Sequence, residues 1–313
     1  MRALVTGGAG FIGSHIVAEL LRAGHEAAVL DDLSTGKPEN IPQKEIDFIR
    51  GSITDRETLE RALRSADCVF HEAAQTSVAY SMLHQKETWE TNIRGTKLML
   101  NAAVKAGVKR VVFASSAAVY GNALPPLKEE KDMNPVSPYG DSKRMGELLM
   151  REYAEKEGLQ TVSLRYFNVY GPRQDPKSDY SGVISKFMGR MSAGGRPVIF
   201  GNGMQTRDFI FVRDVVRANL LASSTKKAGG EAYNIATGTA ISINELVKAL
   251  NGALGTALEP VFEPERQGDI KYSWAEVSLA KKRLGFEAET DLEAGLKKTA
   301  EWFLSSNKPN PPG

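Results

Sequence analysis

Residues 6–13 read TGGAGFIG and follow a short apolar run, Ala3–Val5. Their glycines satisfy two templates at once: G-x-G-x-x-G through Gly8, Gly10 and Gly13, and G-x-x-G-x-x-G through Gly7, Gly10 and Gly13. Glycines at this spacing permit a tight turn, close approach of backbone to a pyrophosphate, and close packing of helix on strand. The amino terminus of the next helix then faces the anion. An ordinary glycine-rich turn has the same composition. Its place between a strand and the amphipathic stretch Phe11–Ala23 favours dinucleotide binding instead. Asp31, 18 residues after Gly13, ends the second apolar run. A carboxylate there accepts hydrogen bonds from ribose hydroxyls and repels a 2′-phosphate, so NAD is expected rather than NADP. Asp32 reads equally well as a turn residue of DDLSTG.

Outward from this motif, compact apolar runs alternate with helical patterns. Ala27–Leu30, Cys68–Phe70, Val111–Ala114 and Val162–Leu164 have strand character, and Leu98–Ala106 is amphipathic. Such alternation predicts βαβ units and a Rossmann-type α/β fold, a doubly wound parallel sheet covered on both faces. Helix starts are marked by capping-box spacing at Thr54/Glu57 and Ser242/Glu245, and by Ser137–Pro138, which predicts a helix beginning near Tyr139. From about Gly171 the chain turns to loops punctuated by Gly and Pro. The expected organisation is a cofactor domain over 1–165, with a strand near 233–236 returning to it. A smaller α/β substrate-binding domain follows over 166–305, then a frayed tail over 306–313.

With 40 Lys and Arg against 38 Asp and Glu, the chain lacks the basic excess of a nucleic-acid binder. No run approaches the ~18 apolar residues of a membrane span. The start, MRALVT followed by glycines, does not resemble a signal peptide, so a cytoplasmic protein is expected. A single cysteine, Cys68, excludes internal disulfides and multi-cysteine metal sites and reads as a buried thiol. His71-Glu72 has no second His at zincin spacing, so no metal is expected; His71 reads as a strand-end packing residue.

Tyr139 and Lys143 stand four apart and share a helix face. A phenol titrating near ~10 is a poor base, and a neighbouring ammonium favours its phenolate. Y-x-x-x-K alone also occurs on solvated helices. Ser115 and Ser116, at the end of a predicted strand, add the hydroxyl that makes the set specific.

Together these residues resemble the extended short-chain dehydrogenases/reductases, and within them the nucleotide-sugar 4-epimerases. The resemblance is carried by TGGAGFIGSH, VLDDLSTGK, HEAAQTSV, TNIRGT, SSAAVYG, SPYGDSK, LRYFNVYGPRQ, TRDFIFVRD and RQGD, from Met1 to about Phe286. It implies Ser116, Tyr139 and Lys143 as the catalytic set. It also implies a cofactor site for NAD from Gly7, Gly10, Phe11, Ile12, Gly13, Asp31, Asp32, Ser52, Ile53, Ala73, Ala74 and Asn92, joined by Tyr139 and Lys143. Ser77, Asn168, Arg207, Arg266, Asp269 and Ser273 are implied to join Ser116 and Tyr139 at the sugar nucleotide. The implied reaction is reversible inversion at C4 of a UDP-hexose through a transient 4-keto sugar, with the cofactor restored at the end.

The chain departs from the family pattern in two places. Ser52 replaces the usual Asp expected at the adenine amino group, and Ala117–Ala118 replace the acids that dehydratases and decarboxylases carry before V-Y-G. Ser273, four after Asp269, is small and should admit N-acetylated sugars; a one-residue slip would put Tyr272 there and close the pocket. Other readings are a 4-epimerase of UDP-glucuronate and a regulator that binds NAD without turnover, although such regulators usually lose the Tyr/Lys pair. Arg207 with Asp208 could be a structural ion pair. Trp89, Leu98, Met99 and Leu100, with Met145, Leu148, Leu149 and Met150, suggest two helices with surplus apolar surface. In the resembled family the equivalent helices pair in a homodimer.

Overall fold

The structure is a computed structural model describing residues 1–176, 182–266 and 270–306. Seven parallel strands form one sheet: β1 (Arg2–Thr6), β2 (Glu26–Asp31), β3 (Asp47–Arg50), β4 (Cys68–His71), β5 (Arg110–Ser116), β6 (Gln160–Tyr166) and, from far along the chain, β11 (Gly229–Ile235). Their order is β11-β6-β5-β4-β1-β2-β3, reversing direction of travel at β1 and β4. Between β6 and β11 lie four short strands: β7 (Asn168–Tyr170), β8 (Val198–Phe200), β9 (Thr206–Arg207) and β10 (Phe209–Phe211). After them come β12 (Ile241–Ser242) and β13 (Val261–Glu263), and all six are paired two by two outside the main sheet.

The alternating side chains of the strands explain the two helical layers. Ala3, Val5, Val29, Phe70 and Val112 pack on one face with α1 (Phe11–Arg22), α8 (Val212–Ser224) and α10 (Ser278–Leu284). Leu4, Leu30, Val69, Val111 and Phe113 pack on the other, with α2 (Arg56–Ala62), α5 (Thr96–Ala106) and α6 (Pro138–Glu157). Full burial on both faces is what makes these strands read as continuous apolar runs. A third core joins α7 (Val183–Ser192), α9 (Ile243–Leu254) and α11 (Leu292–Ser306) around Tyr170, Phe209 and Phe211. Phe11 and Ile12 of α1 also pack on that third core, so the glycine loop sits where the two parts meet.

Ser137 caps α6 by accepting from the Gly140 amide, and Pro138 is its first residue, as the sequence predicts. The Ser242/Glu245 capping box is present. Thr54 is not a cap. Asp55 accepts from the Glu57 amide and starts α2 one residue later, while Thr54 bonds to Ser52. The sequence reading also missed β3, an edge strand whose Asp47 and Arg50 are exposed and break its apolar run. Ahead of α5 the chain forms α3 (Val78–Leu83), α4 (Gln85–Trp89) and a π-helical stretch, Glu90–Gly95. Of the apolar residues named there and on α6, Met99, Leu100, Leu149 and Met150 are core, whereas Trp89 and Leu148 are exposed. No described helix is long and apolar enough to cross a membrane.

Candidate active site

A cleft of about 980 Å³ runs along the carboxyl ends of β1, β2, β4, β5 and β6. This is the edge where open α/β sheets take ligands. Gly7, Gly10 and Gly13 line it, and Gly8 does not, which selects the second of the two glycine templates. Gly7 has φ +70, and a Cβ on Gly13 would stand 2.3 Å from the Gly7 carbonyl oxygen. Only bare backbone lets the loop fold over the start of α1. Phe11, Ile12, Asp32, Ser52, Ile53, Ala73 and Ala74 also line the cleft.

Asp31 is buried at the end of β2 and accepts from the amides of Ala9 (2.9 Å) and Leu33 (2.8 Å). Burial pushes its carboxyl above the ordinary value, and the two amides oppose this. A carboxylate has about four acceptor positions, so lone pairs remain for ribose hydroxyls. Gln75 lines the same cleft with both side-chain amide atoms enclosed and unpartnered. Buried polar groups are normally paired. The glycine loop, the aspartate and this amide therefore fit a dinucleotide.

The carboxyl end of β5 delivers Ser116, and the first two turns of α6 deliver Tyr139 and Lys143 to the same cleft. Ser116 hydrogen-bonds to Tyr139, and its oxygen also accepts from the Ala118 amide. Lys143 is buried and donates to the Ala114 carbonyl oxygen at 2.7 Å, with Nζ 5.9 Å from the Tyr139 ring centre. Burial lowers Lys143 to about 8. Tyr139 departs from the expected lowering. Burial raises its phenol above the ordinary value, and the negative charge of Glu72 adds to this, against the Ser116 bond.

Three residues expected at ligands are already engaged elsewhere. Asn92 is buried in the π-helical stretch and holds the Gln75 backbone at both N–H and C=O, and Ser142 besides. Ser77 caps α3 through the Tyr80 amide. Asn168, in β7, donates to the Asp208 carbonyl oxygen. None of the three lines the cleft. His71 is buried between Thr6 (2.7 Å) and Thr96 (2.9 Å), and desolvation lowers it to about 3, so it stays neutral. Cys68 is buried, its thiol pushed up to about 12.

A second, smaller cavity of about 250 Å³ is lined by Phe200, Gln205, Glu265, Lys271 and Tyr272 among others. Arg266 lies over the Phe200 ring, 3.5 Å from its centre. Arg207 is in β9 and donates to the Thr206 carbonyl oxygen. The carboxylate of Asp208 accepts from the amides of Thr237, Gly238 and Ala275, fixing the turn beside it. Ser273 is buried, its amide bonded to Thr206, while Tyr272 is half exposed against the small cavity. Asp269 lies outside the described residues. Among those described, no three His, Cys, Asp or Glu cluster as metal ligands would.

The sequence reading passed over Glu72, Gln75 and Tyr166 in the main cleft and Phe200 in the small one. For Glu72 a signal existed: an acid directly after a buried strand, at the ligand-binding edge of the sheet.

A glycine loop that takes a dinucleotide and a Ser–Tyr–Lys set in one cleft define a cofactor-dependent enzyme architecture. The chain belongs to the NAD dependent epimerase/dehydratase family, whose profile matches residues 3–236. It is 40% identical over 309 residues to a putative UDP-glucose 4-epimerase of Methanocaldococcus jannaschii, covering 97% of this chain and 99% of that one. The fold matches the UDP-glucose 4-epimerase of Thermotoga maritima, solved with UDP-glucose, with a TM-score of 0.94 and 42% identity, over 98% of this chain and 100% of the other. It also matches the UDP-N-acetylglucosamine 4-epimerase of Methanobrevibacter ruminantium, solved with UDP-N-acetylmuramic acid. There the TM-score is 0.93 at 38% identity, over 97% and 98% of the two chains.

Proposed function

We propose that the protein is an NAD-dependent nucleotide-sugar 4-epimerase that inverts C4 of a UDP-hexose, taking UDP-glucose and UDP-galactose and also their N-acetylated counterparts. The observation that carries this reading is the meeting of Ser116, Tyr139 and Lys143 in the cleft that the glycine loop lines. The relatives, epimerases over their full length, support it. The small alanines at 117 and 118 leave no acid at that place to drive elimination.

Tyr139 takes the proton of the C4 hydroxyl, with Ser116 bonded to its oxygen, and later returns a proton to the same C4 oxygen once the sugar has turned. Lys143, pinned by the Ala114 carbonyl, keeps a positive charge beside the phenol at neutral pH. Bound NAD supplies the hydride acceptor and donor together with a positive charge that favours the phenolate. Gly7, Gly10, Gly13 and Asp31 hold its pyrophosphate and ribose. Arg207 and Arg266 anchor the diphosphate of the substrate so that the hexose is free to turn. The cofactor-binding role belongs to residues 1–165 and the sugar-nucleotide role to 166–305. The exposed Trp89 and Leu148 are part of a homodimer surface, and the protein works in the cytoplasm.

Purified protein with NAD should interconvert UDP-glucose and UDP-galactose with no net change in NADH absorbance. Tyr139→Phe should retain NAD while turnover falls ~100-fold or more. Undiminished turnover in that variant would end the assignment.

A further inference from the structure

Glu72 is an ionisable group in the main cleft with no part in the proton relay just described. It follows β4 directly, and its amide is fixed by the Thr6 carbonyl oxygen. Its Oε1 accepts from the Tyr166 hydroxyl at 2.7 Å, and Tyr166 in turn accepts from Asn219 Nδ2 at 2.7 Å. Asn219 is fully buried and donates also to the Val215 carbonyl oxygen within its own helix. A chain of hydrogen bonds thus runs from α8 through β6 to one carboxylate. Such a chain holds an acid in place rather than leaving it to a solvated surface.

The charged and titratable groups facing Glu72 are few. Lys143 and Tyr139 on α6 and Tyr166 on β6 line the same cleft as Glu72, and the neutral His71 adjoins it on β4. Glu72 is therefore the anionic neighbour of both members of the Tyr–Lys pair. Burial raises it to about 7, against the Tyr166 bond and the Lys143 charge. Its negative charge raises Lys143, which burial lowers, and it also raises Tyr139.

We infer that Glu72, fixed by the Tyr166–Asn219 hydrogen-bond chain, is a positioning residue whose carboxylate sets the acid–base balance of the Tyr139–Lys143 pair. The inference rests on the proposed epimerase reading. Its sign follows from the charges. An ionised Glu72 keeps Lys143 protonated to higher pH and delays formation of the Tyr139 phenolate. Removing the charge should release both groups at lower pH.

The test is the pH profile of kcat in Glu72→Gln, which keeps the shape and loses the charge. Both limbs should move to lower pH, by about one unit. Tyr166→Phe, which takes away the donor to Glu72, should move them the same way by less, and should add nothing in the Glu72→Gln background. A merely structural role would lower kcat at every pH and leave the limbs in place. That result would overturn the inference. Infrared difference spectra of the protein without substrate give a second readout that needs no turnover. A carboxyl band titrating near pH 7 should be present in the unaltered protein and absent from Glu72→Gln, and its persistence in the variant would equally reject the assignment. Full activity in Tyr139→Phe would instead sink the epimerase reading, so the two failures are separable.

Discussion

The main cleft and the region around the small cavity are built by different means. At the main cleft, backbone does the shaping: a glycine loop leads from β1 into α1, at the edge of buried strands of four to seven residues. Near the small cavity, Arg207 stands on a two-residue strand, Arg266 stacks on Phe200, and the Ser273 amide is held by Thr206. A backbone-built site is fixed by the whole sheet and tolerates little change. A site built from side chains on short strands can vary its lining without disturbing the core.

The sharpest way to break the long-strand region is through its buried ion pair. Arg165 and Glu147 approach to 2.7 Å with both side chains buried, and Ser115 and Tyr120 complete the network. Arg165→Met should lower stability by about 3–5 kcal/mol, because Glu147 would be left charged and enclosed. A urea midpoint equal to that of the unaltered protein would show that the network does not brace the sheet. Next comes the loop. In Gly13→Ala the new methyl must displace the Gly7 carbonyl. That strain, about 1–3 kcal/mol, should weaken NAD ten- to a hundredfold with the fold retained. Calorimetric titration decides it, and unchanged affinity would mean that the loop is not rigid. The smallest effect is expected at Ser273. Ser273→Tyr should cut kcat/KM for UDP-GlcNAc roughly tenfold and leave UDP-glucose almost unaffected. Equal losses for both sugars would place Ser273 outside the pocket wall.

The legibility of the sequence divides along the same line. The sheet could be read because two-sided burial writes itself as apolar runs, and the glycine loop because only glycine fits its turns. Strand β3 escaped because its exposed Asp47 and Arg50 interrupt the pattern. The cap at Asp55 was misplaced by one residue because Thr54 and Asp55 are both good caps, and only the fold directs Thr54 towards Ser52. What the sequence does not show for Asn92, expected at the cofactor, is that its amide also holds the Gln75 backbone and Ser142, 17 and 50 positions away. Glu72 beside His71 resembles a partial metal motif, and nothing local marks it as a partner of the Tyr–Lys pair. Its effective partners, Tyr166 and Lys143, are remote in sequence and meet it only across the sheet.

The position of β11 governs how the chain can be synthesised and folded. It forms the outer edge of the main sheet by pairing with β6, yet 62 residues separate Tyr166 from Gly229. While the ribosome is still making that interval, β6 is an open edge with unpaired N–H and C=O groups, the kind of surface that recruits other chains. The amino-terminal part therefore cannot close before residue 235 has emerged, and the interval must be held without aggregating until then. A stop or a break inside it would not leave a finished half-protein behind; it would leave an adhesive strand.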